Sequence, residues 1–305
     1  MARHVLMVLP VIRQDRSSRS CCHIREIFDY KIICFKECGG QMAVFHDYEE
    51  FKMSFYNLSH IDLNLYKEKQ MKRRIISFAE KHGFSTFLSF FEEIKGNREL
   101  RDVFIGYLTI NVSEFYRNPA QWQLFEKKIL PAVFNQKRRM EDVRIWSSAC
   151  STGEEPYTVV MILSRYMPLE RIRILASDID HEAMDKAKKG IYPERNLREL
   201  PSDFLEKYFT KQEKDMYAIS EKIKRCVEFR NINLLRDPFP RDMDIILCRN
   251  VLIYFTEEAK EYLFEELSKS LAPNGILFIG STEQIINYQR YNLKPLDTFF
   301  YQKTV

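Results

Sequence analysis

Between Tyr48 and Leu108, apolar side chains return every three or four positions: Phe51, Phe55 and Leu58, then Leu65, Met71, Ile75 and Phe78, then Phe87, Phe90 and Phe91. That is the period of helices with one face turned inward, so the spacing predicts a small helical bundle. Gly83 and Gly96-Asn97 punctuate it where helices would end or turn. Beyond a polar loop and an amphipathic stretch within 110–134, the pattern changes. Short apolar runs at 143–147, 172–177, 226–231, 243–248 and 275–281 alternate with helical spacing at 155–166, 181–189 and about 256–271. The alternation predicts an α/β fold with a doubly wound, mainly parallel sheet. Residues 297–303 have the spacing of one more strand, expected at an edge. Between Gly190 and Arg225 the alternation breaks into short mixed pieces, which implies a small subdomain inserted at about 190–228. The expected organisation is an extension over 1–47, a helical domain and linker over 48–125, and the sheet domain over 126–305.

The alternation meets chemistry in VRIWSSACSTGEEPY (143–157). Ala149, Cys150, Ser151, Thr152 and Gly153 carry little or no bulk beyond Cβ, which lets a ligand approach the backbone where strand passes into helix. That is where α/β sheets hold nucleotides. Glu154 and Glu155 suit the positive end of a helix but would repel a pyrophosphate. A ligand that is not anionic there is indicated, and S-adenosylmethionine, a sulfonium carrying an amino acid, has that character. The GxGxxG turn of NAD-binding sheets is absent. Asp178 follows the second strand, placed to accept hydrogen bonds from both ribose hydroxyls of an adenosyl ligand. The competing role is a helix N-cap, which neighbouring Asp180 fills equally well.

Composition narrows the class. With 305 residues and 45% apolar content, the chain can bury a full α/β domain and a smaller helical one. A formal charge of +4 is too small to indicate a general polyanion-binding role, so the location of charge matters more. In YKEKQMKRR (66–74), Glu68 alone opposes five cations, and Lys69, Lys72 and Arg73 fall on one side of a helix. Such a run is either a solvated face or a surface for an acidic partner. Seven cysteines without a regular framework read as reduced thiols in a cytosolic protein. No apolar run reaches the roughly 18–20 residues that cross a bilayer, so no direct membrane insertion is expected. Val5–Ile12 is short, interrupted by Pro10 and followed by no clear cleavage site, which argues against a signal peptide. Cys21, Cys22, His23, Cys34, Cys38 and His46 match no closed zinc spacing, and no metal is expected. The opening segment is read as a poorly ordered extension preceding a native start at Met42 or Met53.

Polar residues recur at strand exits. Asn233-Leu234 closes one strand and Arg249-Asn250 the next, with Tyr254 shortly after, and each asparagine is equally a turn former. Asn111, Ser113, Phe115, Tyr116 and Arg117 gather donors and aromatics in the loop before the sheet domain, where Arg117 can hold a carboxylate by two parallel bonds.

The pieces NVSEFYRN, WSSACSTGEEPY, ASDID, AKKGIY, NINLL, CRNVLIYF and LFIGSTEQ, in this order, resemble the chemotaxis receptor methyltransferase family, CheR, over about residues 54–303. The resemblance implies a class I S-adenosylmethionine-dependent fold with an N-terminal helical domain. It implies transfer of a methyl group to glutamate side chains on cytoplasmic chemoreceptor helices, leaving glutamate methyl esters and S-adenosylhomocysteine. Ligand contacts carried over from the family fall on Asn111, Ser113, Arg117, Glu155, Asp178, Asn233, Leu234, Arg249 and Asn250. Beside these, Arg117 and Tyr254 are expected near the reacting groups, a place in the core being the other reading of Tyr254. The resemblance also favours Lys69, Lys72 and Arg73 as a receptor-binding surface, because receptor methylation regions are acidic. The inserted subdomain matches one that in some members grips a receptor's C-terminal tether peptide. A cytoplasmic monomer recruited to receptor arrays is expected.

Two alternatives compete. A nucleic-acid methyltransferase would share fold and donor, but CRNVLIY stands where amino-methylating enzymes usually carry [DN]PP[YF], so no nucleic-acid partner is expected. A non-catalytic adapter binding the same donor would differ only in transferring nothing.

Overall fold

The structure, a computed structural model, describes residues 47–109 and 113–304 and, before them, only the backbone pairing of Glu37–Cys38 with Gln41–Met42. The expectations for the opening extension and its cysteine and histidine positions, and that for Asn111, lie outside the described residues. The chain divides into two compact units, Met1–Asn64 with Glu68–Arg101, and Leu65–Lys67 with Asp102–Val305.

In the first unit, α1 (Tyr48–Ser59), α2 (Glu68–Lys81) and α3 (Phe87–Gly96) follow the three- and four-residue spacing. The Phe51 ring of α1 lies 5.1 Å from that of Phe87 and 6.0 Å from that of Phe90, so α1 and α3 share an aromatic core. Thr86 caps α3 by accepting from the Ser89 amide at 3.1 Å. In α2 the buried stripe is Met71, Ile75, Ile76, Phe78 and Ala79, and Lys72 belongs to it. Lys72 is 9% exposed, its Nζ lies 4.7 Å from the centre of the Tyr48 ring, and burial lowers its pKa. Of the three residues expected on the basic surface, only Lys69 and Arg73 are exposed. Positions 72, 75, 76 and 79 share one helical face, and that face is the apolar one.

Helix α4 (Arg98–Leu108) begins before the division at Arg101, and in the second unit it precedes α5 (Pro119–Leu124) and α6 (Leu130–Phe134), which are joined by a π turn at Phe125–Ile129. Then come β1 (Ile145–Ser147), α7 (Glu154–Leu163), β2 (Ile174–Asp178) and α8 (His181–Lys189). Next are the short strands β3 (Ile191–Pro193), β4 (Phe209–Lys211) and β5 (Met216–Ile219), then β6 (Val227–Asn231) and β7 (Met243–Cys248). Helix α9 (Glu257–Ser270), β8 (Leu271–Ile279), β9 (Leu293–Asp297) and β10 (Phe300–Lys303) complete the unit.

Seven strands form one sheet in the order β9-β10-β8-β7-β1-β2-β6, parallel from β8 through β6 and antiparallel at β10 and β9. From β1 the chain winds outward through β2 to β6, then returns to the other side of β1 with β7 and β8. The winding reverses between β1 and β7, where such sheets open a crevice at their carboxyl ends. Every residue of MDIILC is buried because both faces are covered. Ile245, Leu247 and Phe278 pack with Phe125, Tyr157 and Val160 on one face, and Ile246, Leu277 and Ile279 pack with Leu263 and Leu267 on the other. The inserted pieces form an antiparallel sheet, β3-β5-β4.

The expected edge strand is displaced by one place. β10 lies between β8 and β9, and the edge is β9, which the apolar spacing did not mark. Pro295 explains its position, since a residue without an N–H is tolerated where only one side of the strand is paired.

Candidate functional site

The loop from β1 to α7 sits at the reversal point and depends on its small residues. Ser151 and Gly153 take left-handed backbone angles, φ 47° and 92°. A Cβ on Gly153 would stand 2.8 Å from the Ala187 Cβ, so glycine is required there both for its φ and for space. The Ser148 amide donates to the Leu247 carbonyl and the Cys150 amide to the Ser177 carbonyl, both strand-end acceptors, which ties the loop to β7 and β2.

Asp178 ends β2 and is 8% exposed. Its Oδ2 accepts from the Ser151 amide at 2.7 Å and its Oδ1 from the Asp180 amide at 3.0 Å. Burial pushes its pKa up to about 6, against those two amide donors, which favour the ionised form. The N-cap role falls to Asp180, whose Oδ1 accepts from the Ala183 amide at 3.1 Å and whose Oδ2 accepts from Thr109 Oγ1 at 3.0 Å. Asp178 is therefore left facing the crevice.

Arg249, at the exit of β7, is a hub. It is 6% exposed, and its guanidinium lies 4.9 Å from the Trp122 ring centre and 4.5 Å from that of Phe278. Its Nη1 donates to Glu155 Oε2 at 3.2 Å, and its Nη2 donates to Gln121 Oε1 at 2.8 Å and to the Arg117 carbonyl at 3.1 Å. Glu155 Oε1 also accepts from Ser147 Oγ at 2.8 Å. Burial raises the Glu155 pKa and lowers that of Arg249, while their mutual attraction opposes both shifts. The arginine thus joins the loop that bears Arg117 to the acid that opens α7.

Asn233 follows β6 and turns the chain: its Oδ1 accepts from the Leu235 amide at 3.0 Å, and its own amide donates to Asp237 Oδ2 at 2.7 Å. Leu234 beside it is buried. Asn250 follows β7 at φ 59°, and Tyr254 ends the short helical turn Leu252–Tyr254. Ser113, Arg117, Glu155, Asp178, Asn233, Leu234, Arg249, Asn250 and Tyr254 all line one cleft at the carboxyl ends of the strands, enclosing about 1040 Å³ including the part open to solvent.

Sequence reasoning missed Glu283 and Tyr66 and marked Glu154 only as an acid at the helix start. Glu154, fully buried, accepts from Thr152 Oγ1 at 2.6 Å and Asn196 Nδ2 at 2.8 Å and hydrogen-bonds Ser113, and burial raises its pKa. It binds the loop from β1 to α7 to the inserted subdomain. Glu283, in the loop after β8, accepts from the amides of Asn250 and Leu252 after β7 and of Gly280 after β8. Tyr66 lines the cleft and packs its ring 5.1 Å from that of Phe255, with the Lys67 amide donating to the Tyr254 carbonyl at 2.9 Å. The apolar spacing around Leu65 hid Tyr66 inside the helical pattern, and nothing in the spelling of a glutamate distinguishes a buried one.

Three carboxylates on the cleft wall, Glu114, Asp178 and Glu155 of the first turn of α7, make a poor cradle for phosphate but suit a cationic amino-acid nucleoside. Residues 111–299 match "CheR methyltransferase, SAM binding domain", and residues 46–109 match "CheR methyltransferase, all-alpha domain". The chain belongs to the CheR methyltransferase family. Among its CheR relatives, the chemotaxis protein methyltransferase of Listeria monocytogenes is 43% identical over 244 residues, 80% of this chain and 92% of the relative. That of Listeria innocua is 41% identical over the same shares, and that of Borreliella burgdorferi is 34% identical over 75% of this chain and 85% of the relative. This CheR chain is therefore a methyltransferase with an S-adenosylmethionine-binding domain. Among the described residues no helix is long and apolar enough to cross a membrane.

Proposed function

We propose that this chain methylates glutamate side-chain carboxylates on the cytoplasmic helices of chemoreceptors, forming glutamate methyl esters with S-adenosylmethionine as donor. The observation that carries this reading is the convergence of Arg117, Glu155, Asp178, Asn233 and Asn250 on one cleft at the reversal point of the sheet. When bound, the donor supplies an electrophilic methyl on a sulfonium and leaves as the neutral thioether S-adenosylhomocysteine. A glutamate, with a reference pKa of about 4.3, is already ionised near pH 7, so the protein needs no general base. Its task is alignment. Asp178 accepts from the ribose hydroxyls, Glu155 and Asn233 hold the amino-acid and adenosyl ends, and Ser113, Leu234 and Asn250 wall the cleft. Arg117 grips a carboxylate, of donor or acceptor, and Tyr254 flanks the reacting groups. Arg249 acts through Glu155 and the Arg117 loop. Purified protein, labelled donor and receptor cytoplasmic fragments should give base-labile radioactivity in the fragments. Donor binding without such label would instead identify an adapter.

The Asp178 role has a pH signature. Its raised pKa means that the folded protein binds this proton more tightly than the unfolded chain, so the group destabilises the fold progressively as pH rises from about 4 through about 6. Donor affinity runs the other way, because the ionised carboxylate is the better acceptor. Affinity for S-adenosylhomocysteine, followed by calorimetry, should fall about tenfold from pH 7 to pH 5. Asp178→Asn should flatten that dependence; an equally steep profile in the variant rejects the assignment.

For receptor recognition, the reading narrows to Lys69 and Arg73. Reversing both charges should weaken receptor methylation about three- to tenfold at low salt and leave donor affinity intact. Equal loss of donor binding would make the surface structural. The exposed edge at Ile191–Pro193 suits an added strand from a receptor's C-terminal tether peptide. The protein is taken to act as a cytoplasmic monomer at receptor arrays. In this reading the helical domain and linker (48–125) supply Lys69, Arg73, Ser113 and Arg117, and the sheet domain (126–305) supplies the remaining cleft residues.

A further inference from the structure

Glu283 is a carboxylate that the methyl-transfer chemistry leaves unused. It lies in the loop after β8 and is 6% exposed, so its charge is satisfied inside the protein. Oε2 accepts from the amides of Gly280 at 2.7 Å and Asn250 at 3.0 Å, and Oε1 accepts from the amide of Leu252 at 2.8 Å. The Ile253 amide adds a further bond. Four amides from two loops therefore converge on one side chain, and three of them belong to the segment that runs from Asn250 toward Tyr254.

That segment needs an external hold. Asn250 sits at φ 59°, the left-handed region, and no regular element supports it between the end of β7 and the turn Leu252–Tyr254. Both Asn250 and Tyr254 face the cleft. Gly280 donates its amide and leaves room by having no side chain: a Cβ there would lie 2.7 Å from the Asn250 nitrogen and 2.7 Å from Glu283 Oε2.

We propose that Glu283 is a positioning residue for methyl transfer: its carboxylate clasps the backbone of Asn250–Ile253 and so sets where Asn250 and Tyr254 stand in the cleft. The inference rests on the methyl-transfer reading above. A carboxylate suits the task because each oxygen offers more than one lone pair and the charge strengthens every amide bond. Glutamine keeps one acceptor oxygen but turns an NH2 toward amide donors, so Glu283→Gln releases part of the clasp. Gly280→Ala disturbs the same contacts without altering the carboxylate.

The test measures both variants beside the wild type: methyl transfer to receptor cytoplasmic fragments at saturating donor, melting temperature, and calorimetric affinity and stoichiometry for S-adenosylhomocysteine. In each variant kcat should fall about 100-fold, the loss that a displacement of about 1 Å can cause. Affinity for S-adenosylhomocysteine should weaken about tenfold while stoichiometry stays near one per chain. A kcat within about threefold of wild type in folded variants would overturn the proposal. So would activity that falls only in step with stoichiometry, or failure of both variants to fold, since Glu283 would then serve folding alone. A wild type that transfers no methyl group refutes the functional reading itself, whereas an active wild type with unaffected variants refutes only the clasp.

Discussion

Replacing Arg249 with methionine is expected to cost about 3–5 kcal/mol of folding stability and to abolish donor binding. The side chain is 2% exposed and its partner Glu155 only 13%, so the substitution strands a largely buried carboxylate without its cation. Ser147 Oγ would remain as a single donor, and Gln121 Oε1 and the Arg117 carbonyl would each lose theirs. Stability falls because the partners are left unpaired, and the pair itself contributes less than that loss suggests. The double variant Arg249→Met with Glu155→Gln should therefore recover part of the stability while donor binding stays lost. Denaturant unfolding measures both. A single-variant loss below about 1 kcal/mol would show that Glu155 is not held by this arginine.

Arg117→Ala should act in the opposite way. Methyl transfer should fall on the order of 10²–10³-fold, the cost of removing one well-placed donor from a reacting group, while stability changes by less than about 1 kcal/mol. The backbone carbonyl of Arg117 is what Arg249 grips, so truncating the side chain leaves the loop anchored. Arg117→Lys should restore little, because a point charge does not reproduce a planar two-pronged donor. Single-turnover transfer from labelled donor checks this, and a rate within threefold of wild type rejects the role.

How much was legible follows from where each signal was stored. The strand 243–248 and the helix 181–189 agree with the structure to the residue, because burial on both faces and an Asp180-to-Gly190 start and stop are written locally. β8 begins at Leu271 rather than 275, since Pro273 and Asn274-Gly275 spell a turn and the pairing with β7 is irregular between Leu271 and Ile276. Which of two adjacent strands lies outermost is a matter of order in the sheet, and only Pro295 hinted at it. Lys72 was misplaced although its spacing to Ile75, Ile76 and Ala79 was in view, because a cation was weighed by its charge and not by its face. The cleft residues at strand exits were accessible through the topology rule for α/β sheets. Glu154 and Glu283 were not, since a glutamate becomes a clasp only when distant segments fold around it.

The winding of the sheet reverses between β1 and β7, and this reversal has a thermodynamic consequence. Walls of the cleft come from residues as far apart as Tyr66 and Asn250, on the segments before the sheet and on the exits of β1, β2, β6 and β7. A molecule held there touches segments that meet only when β1, β2, β6 and β7 are assembled with the residues before them, so its binding energy opposes unfolding of that part of the sheet and not merely local opening. At a hundred times its Kd it adds about 2.7 kcal/mol to the stability of the protein. Donor supply would therefore raise the stability of the folded enzyme as well as feed its turnover.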